Sequence, residues 1–150
     1  MKNSKSLNLQ GLRLGVNSVI ALGSSSSLRK YEKLNLADNQ ISDYGMHSVK
    51  SLLPHLTQIN LASNMISGAG LEQIMDDLIK NITLKVIDLG VVEGSIRKNS
   101  LGIQGAICIS ALMIRNKHLE SLSLNDNDLG SDGGECLGIA LHKNQTIKTL

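Results

Sequence analysis

The chain has 150 residues, 41% of them apolar and 19% charged, with a net charge of +2 at pH 7. This is a one-domain length with an ordinary globular balance, and so small a charge argues against nucleic acid or an anionic membrane as partner. Phe and Trp are absent and Tyr occurs twice, so a core has to be filled by Leu, Ile, Val, Met and Ala, which suits a thin layered fold better than one built round aromatic anchors.

At the N-terminus, Lys2 and Lys5 precede an apolar region in the manner of a secretory signal. Asn8, Gln10, Arg13 and Asn17 interrupt that region, and no run reaches the roughly 18 apolar residues of a membrane span. The chain reads as intracellular and cytoplasmic. Leu7 and Leu9 have the alternation of a short strand, Val19, Ile20 and Leu22 sketch a helix, and Ser24 to Ser27 read as a flexible polar connection.

From Tyr31 onward one pattern recurs. It reads Tyr31-x-x-Leu34-x-Leu36-x-x-Asn39-x-Ile41, then Leu56-x-x-Ile59-x-Leu61-x-x-Asn64-x-Ile66, and again Leu119-x-x-Leu122-x-Leu124-x-x-Asn127-x-Leu129. A further copy, Leu84-x-x-Ile87-x-Leu89, reaches Asn99-x-Leu101 only after extra residues. The Leu-x-Leu core is a strand whose alternate residues point inward. Inward positions are therefore Leu34 and Leu36, Ile59 and Leu61, Ile87 and Leu89, Leu122 and Leu124. The Asn that follows cannot easily continue a strand, and its amide can pair with backbone groups of its own and the adjacent turn. A fixed glycine comes next, at Gly45, Gly70, Gly105 and Gly133, read as a tight start to a helix. Helical spacing follows in Val49, Leu52 and Leu53; Ile74 and Leu78; Ile109, Leu112 and Met113; Leu137, Ala140 and Leu141. Three helices end in a basic residue and Asn (Lys80-Asn81, Arg115-Asn116, Lys143-Asn144). There the cation suits the helix dipole and Asn is expected to take the left-handed conformation of a helix stop. The first full repeat ends instead at Pro54.

Successive units start at Leu34, Ile59, Ile87, Leu122 and Leu150, at intervals of 25, 28, 35 and 28 residues. The unit is thus 28 residues, with one three-residue deletion and one seven-residue insertion, Val92–Lys98. Repeats of this length and signature mark leucine-rich repeats. The pattern Leu-x-x-Leu-x-Leu-x-x-Asn-x-Leu-x-x-x-Gly with a full helix resembles the ribonuclease-inhibitor-like class, which includes ribonuclease inhibitors, the Ran GTPase-activating protein, tropomodulins and the sensor halves of NOD-like receptors. The resemblance covers Tyr31 to Leu150. It implies an α/β fold, a right-handed horseshoe solenoid with parallel strands on the concave face and helices on the convex face. Residues 1–30 read as a degenerate N-terminal repeat or cap, and residues 31–150 as four repeats with a fifth opening at Ile147 and Leu150. An array cut in mid-signature is expected to belong to a longer one, or to have its last edge covered by another chain.

No catalytic constellation is present: there is no His-Glu-x-x-His, paired Cys-x-x-Cys, Walker loop or nucleophile elbow. Gly68-Ala69-Gly70 lacks the third glycine of a dinucleotide fingerprint, where Gln73 stands. Asp126-Asn127-Asp128 with Asp132 has Ile139 or Leu137 where a calcium loop needs a bidentate Glu. His47, His55, His118 and His142 fall in different slots of the repeat. Cys108 and Cys136 share one slot on neighbouring helices about 8–10 Å apart, beyond the roughly 7 Å a disulfide spans, so both are expected to be reduced. The chain is read as a non-enzyme with no cofactor and no metal.

Strand residues between the inward positions should face the concave side: Lys33, Asn35 and Ala37; Gln58, Asn60 and Ala62; Val86, Asp88 and Gly90; Ser121, Ser123 and Asn125. The insertion adds Glu93, Arg97 and Lys98, with Val92 and Ile96, to the rim. Lys33, Asn35, Gln58, Asn60, Asp88, Glu93, Arg97, Lys98, Ser123 and Asn125 are therefore the candidate contacts to a partner protein. The leading reading is a non-enzymatic protein-interaction module. Alternatives are a GTPase-activating domain resembling that of Ran, motivated by Arg97 and Lys98, and a cytoskeletal or assembly scaffold. No nucleic acid and no membrane is expected among the partners, and the uncapped C-terminal edge offers a surface for self-association.

Overall fold

A computed structural model of the chain describes residues 5–150. Lys2, one of the two lysines weighed as part of a signal sequence, lies outside the described residues. Five strands form one parallel sheet in chain order: β1 (Ser6–Asn8), β2 (Lys33–Asn35), β3 (Gln58–Asn60), β4 (Val86–Asp88) and β5 (Ser121–Ser123). Their centres are in register across the sheet, Leu7 beside Leu34, then Ile59, Ile87 and Leu122. The spacing read from the sequence thus becomes a spatial alignment. Thr149 continues the order by a single parallel bridge to Ser121.

Helices run between successive strands: α1 (Gly15–Gly23), α2 (Ser42–Val49), α3 (Gly68–Glu72), α4 (Met75–Lys80), α5 (Gly102–Arg115) and α6 (Gly130–Lys143). Strand, helix and return to a parallel neighbour is a crossover that packs back onto the sheet in the right-handed sense. The core lies between the two layers. Leu36, Ile41, Met46, Ile59, Leu61, Ile66, Leu89 and Ile109 are all buried in it, and no aromatic ring is needed. Leu137 and Leu124 in the last unit are half-buried, and Leu141 and Leu150 are exposed.

The repeated asparagines close this core at one margin. Asn99 Oδ1 accepts from the backbone N–H groups of Asn64 (2.9 Å) and Ile66 (3.0 Å), while Asn64 Oδ1 accepts from Asn39 (2.9 Å) and Ile41 (3.3 Å). Each Nδ2 donates backward to strand carbonyls, as Asn64 does to Leu36 O at 2.9 Å. All four asparagines are buried, and their bonds replace those a strand end would have lost. The residues on either side of three of them sit in the left-handed region: Asp38 and Gln40, Ser63 and Met65, Asp126 and Asp128. That conformation costs about 1–2 kcal/mol per residue, and the ladder bonds hold it in place.

Three expectations need correction. Asn81, Asn116 and Asn144 do not end their helices in the left-handed region; their φ values are −68°, −78° and −84°. They form a second ladder at the opposite margin instead. Asn116 Nδ2 donates to Leu78 O and Asn81 O, both at 2.9 Å, and its Oδ1 accepts from His118 and Leu119 N–H at 2.8 Å. The serine stretch after α1 is not a loose connection, because Ser26–Lys30 form a 3-10 helix. The helix of the second full repeat is broken in two at Ile74, whose φ of −113° and ψ of 4° leave the helical region.

The recurrent glycine owes its place to close approach rather than to backbone freedom. A Cβ on Gly45 would lie 2.5 Å from Ile41 Cγ2, one on Gly105 would overlap Leu101 Cβ, and one on Gly70 would overlap the Asp43 carboxylate. Cys108 on α5 and Cys136 on α6 are free and partly exposed. Among the described residues no helix is long and apolar enough to cross a membrane.

Candidate functional site

The open side of the sheet carries two clean rows of side chains. Ser6, Lys33, Gln58, Val86 and Ser121 align in one, and Asn8, Asn35, Asn60, Asp88 and Ser123 in the next. The residues from Lys33 onward are half-buried, as strand residues facing away from a core should be. Between the first three strands they line a shallow depression of about 190 Å³, formed by Ser6, Asn8, Lys33, Asn35, Gln58 and Asn60.

The second row is partly committed to the fold. Asn35 Oδ1 accepts from Ala37 N–H at 3.0 Å, Asn60 Oδ1 from Ala62 N–H at 2.9 Å and Asp88 Oδ1 from Gly90 N–H at 2.9 Å. These are Asx turns, in which a short side chain satisfies the backbone two residues on and ends the strand. Asn35 also donates to Gln10 Oε1 at 3.0 Å. The signal is local in the sequence, Asn or Asp two places ahead of Ala or Gly, and is independent of the repeat spacing. The turn also draws the third position inward. Ala37 and Ala62, expected on the outer face, are fully buried, and Gly90 is buried with the Asn125 side chain lying against it. Asn125 itself is exposed, and its Oδ1 accepts from the Ser123 hydroxyl at 3.0 Å.

The insertion at 92–98 is strapped down at three places. Val92 N–H donates to Ser63 Oγ at 2.8 Å. Ser95 Oγ and Arg97 Nε both donate to Asp38 Oδ1, at 3.0 and 2.9 Å, across 57 and 59 residues of chain. On the other flank, Lys98 Nζ reaches Asp128 Oδ1 at 2.9 Å, and Ser100 Oγ donates to Asp128 Oδ2. The Lys98 ammonium, hydrogen-bonded to it, holds the Asp128 carboxyl below the usual aspartate range, with the Ser100 hydroxyl helping. Arg97 is half-buried in its pair with Asp38 and Lys98 is exposed. The loop thus spans several units of the solenoid, and it presents Ile96 with 95% of its surface exposed, beside the exposed Glu93 and Gly94.

Of the ten candidate contacts, Lys33, Gln58, Asn60 and Asn35 share the depression. Asp88, Ser123 and Asn125 continue the open face toward the last strand. Glu93, Arg97 and Lys98 belong to the loop, where the two cations are paired with carboxylates and Glu93 is in no ion pair among the described residues. Elsewhere, Ser67 Oγ and the Asp43 carboxylate occupy the start of α3: Ser67 Oγ accepts from Ala69 N–H at 3.2 Å, and Ser67 N–H donates to Asp43 Oδ1 at 2.7 Å. The Gly68-Ala69-Gly70 run therefore already has its acceptors within the chain. No three His, Cys, Asp or Glu side chains among the described residues gather in a metal-holding arrangement.

Comparison with known proteins agrees with this architecture. The leucine-rich repeat model matches residues 32–49, 53–75 and 115–138. Among solved structures, the chain is similar to one described as leiomodin-1 actin-binding site 2, with a TM-score of 0.67 at 18% identity, over 95% of this chain and 81% of that one. No curated protein sequence matches. The fold is a leucine-rich repeat solenoid.

Proposed function

On this solenoid we propose a non-enzymatic protein-interaction module that binds its partner through the concave sheet face and the 92–98 rim loop. One observation carries the reading. A seven-residue insertion in a regular array is pinned by Asp38, Ser63 and Asp128, yet it holds Ile96 almost wholly in solvent. A single exposed apolar residue is ordinary on a protein surface. One fixed by bonds to three different units is preorganised, so it loses little entropy on docking. Lys33, Gln58, Asn60, Ser123 and Asn125 form the polar floor beside it, with Glu93 on the rim, and Asn35 and Asp88 act mainly as turn-formers. The partner is another protein, met in the cytoplasm.

The test compares recovery of bound proteins by the native chain, by Ile96→Asp, and by Lys33→Glu with Gln58→Arg. Lys33 and Gln58 belong to the row that is free of Asx turns, so the double variant keeps the fold intact. Both variants should lose the same partners. Equal recovery by all three chains would refute the reading.

A second reading, with a cytoskeletal partner, has support from the likeness to the leiomodin-1 actin-binding site. Cosedimentation with filamentous actin tests it directly, and an absence of chain in the pellet removes it. A GTPase-activating role has less support, because Arg97 and Lys98, its motive, are already paired to Asp38 and Asp128. The 14-residue helices α5 and α6 favour placing the chain in the ribonuclease-inhibitor-like class. We read residues 1–30 as a worn repeat, 31–150 as four repeats, and Ile147 to Leu150 as the opening of a fifth.

A further inference from the structure

The margin where helices return to strands holds a cavity, away from the open sheet face and the 92–98 loop. Its origin lies in the second asparagine ladder. Asn81 Nδ2 ties its turn to Leu53 O at 3.2 Å, Asn116 Nδ2 ties its own to Leu78 O at 2.9 Å, and Asn144 Nδ2 reaches Met113 O at 2.5 Å. Three residues ahead of Leu56 and Tyr31, where this asparagine would stand, the chain has Leu53 and Leu28. Leucine cannot make the tie, so no ladder amide joins the turn after α1 to the turn after α2. At that interface lies a cavity of about 310 Å³, within the size range of small-ligand sites.

Its lining is divided by chemistry. Leu34, Leu52 and Leu56, all buried, provide an apolar floor with Leu28 and Tyr31. Ser24, Ser25, Ser26, Ser51, Arg29 and His55 provide the polar part, and no carboxylate lines it. Arg29 and His55 take part in no ion pair among the described residues. The Lys30 ammonium, 5.2 Å from the centroid of the Tyr31 ring, lies nearby as a second cation beside Arg29. An apolar floor beside the unopposed Arg29 guanidinium and several hydroxyls is complementary to a molecule with an apolar body and one acidic group.

We propose that this cavity binds a small amphipathic carboxylate, its apolar body on the leucine floor and its acid group met by Arg29 and the serine hydroxyls. The acid could be free or be the terminal carboxylate of a protein chain; the chemistry is shared. The serine run and the leucines at positions 28 and 53 then have a common purpose, opening one interface of the stack that the ladder seals elsewhere.

The test titrates the isotope-labelled chain with 4-phenylbutyrate, following backbone amide resonances. Saturable shifts should centre on Gly23, Ser25, Ser26, Arg29 and His55, leaving Ser123 and Ile139 unmoved. The expected Kd is on the order of 1 mM, ordinary for a ligand of about a dozen heavy atoms. Uncharged 4-phenylbutanamide should bind about tenfold more weakly, and Arg29→Gln, an exposed site whose change leaves the core alone, should remove most of that difference. N-acetyl-leucyl-phenylalanine distinguishes the sources. Tighter binding than 4-phenylbutyrate, lost in its C-terminal amide, assigns the site to a chain terminus, and weaker binding assigns it to a free acid. Equal binding of acid and amide, or no localised shift by about 20 mM ligand, would overturn the proposal.

Discussion

Replacing Asn64 by leucine should destabilise the chain despite adding apolar volume to a fully buried site, and the bonds say by how much. Asn64 Oδ1 is the acceptor of both Asn39 N–H and Ile41 N–H. Its Nδ2 donates to Leu36 O and Ala62 O. Those two carbonyls keep other donors, Asn39 Nδ2 at 3.0 Å and Asp38 N–H at 2.9 Å. Leucine therefore orphans two buried N–H groups and no carbonyl. At about 1–3 kcal/mol for each unsatisfied group, the loss is about 2–6 kcal/mol.

Asn127 supplies the internal control. It is as buried as the others, yet its Oδ1 accepts from no described residue. Asn127→Leu removes only donors: Leu89 O retains Asn99 Nδ2 at 2.9 Å, and the two carbonyls that lose their donor, Leu124 O and Asn125 O, lie in the partly exposed last unit. Its cost should stay below that of Asn64→Leu by at least about 1 kcal/mol. Gln58→Leu, on the open face, should shift stability by about 0.5 kcal/mol or less. Urea melts read all three. Equal losses for Asn64→Leu and Asn127→Leu would refute the counting of orphaned donors, and a larger loss for Gln58→Leu would reverse the inward and outward assignment.

Other expectations follow from individual contacts. Gly105→Ala drives a Cβ into Leu101 and should cost about 1–3 kcal/mol, whereas Gly134→Ala, on an open face of α6, should stabilise by about 0.5–1 kcal/mol; thermal melts distinguish them. Asp128 has a folded pKa below its ordinary 3.8, so the contribution of its pair with Lys98 is present at neutral pH and fades only as pH falls below that value. Resonances of the 92–98 loop should thus be unchanged from about pH 7 to 5 and move in stronger acid, and movement near pH 6 would show another group in control. Burial, with Glu72 nearby, pushes the Cys108 thiol above its ordinary 9.0, so at pH 8 it should react with iodoacetamide more slowly than free N-acetylcysteine, as mass spectrometry would show.

The sequence made the strand phase legible because Leu34, Ile59, Ile87 and Leu122 repeat one local pattern with one physical meaning. The Asn39, Asn64, Asn99 and Asn127 ladder was legible for the same reason. The second ladder was visible as a recurrence, but Asn81, Asn116 and Asn144 also suit a helix stop, and the local signal cannot choose between the two uses. What decides is the carbonyl of the preceding unit, such as Leu78 O for Asn116, which only stacking brings within reach. Asp38 as anchor of the loop was hidden for a related reason: it lies 59 residues from Arg97, in a slot that elsewhere holds Ser63 or Asp126. The buried Ala37 and Ala62 show the limit of strict alternation, which ends where the Asx turn bends the chain.

The insertion and the orphaned Asn127 oxygen lie in neighbouring units. Asn64 Oδ1 and Asn99 Oδ1 each accept from the N–H of the preceding ladder asparagine. Asn127 Oδ1 has no such bond from Asn99 N–H, and the stretch between Gly90 and Asn99 is the one bonded to Ser63 and Asp38. The ladder thus lacks one buried bond in the unit that follows the irregular stretch. Local violations of an otherwise consistent pattern concentrate where function imposes a second requirement. The bonds that hold the loop differ in burial: Ser63 is fully buried, the Arg97–Asp38 pair is largely buried and the Lys98–Asp128 pair is exposed. What the insertion adds to the array is the fixed presentation of Ile96, held in solvent by those bonds.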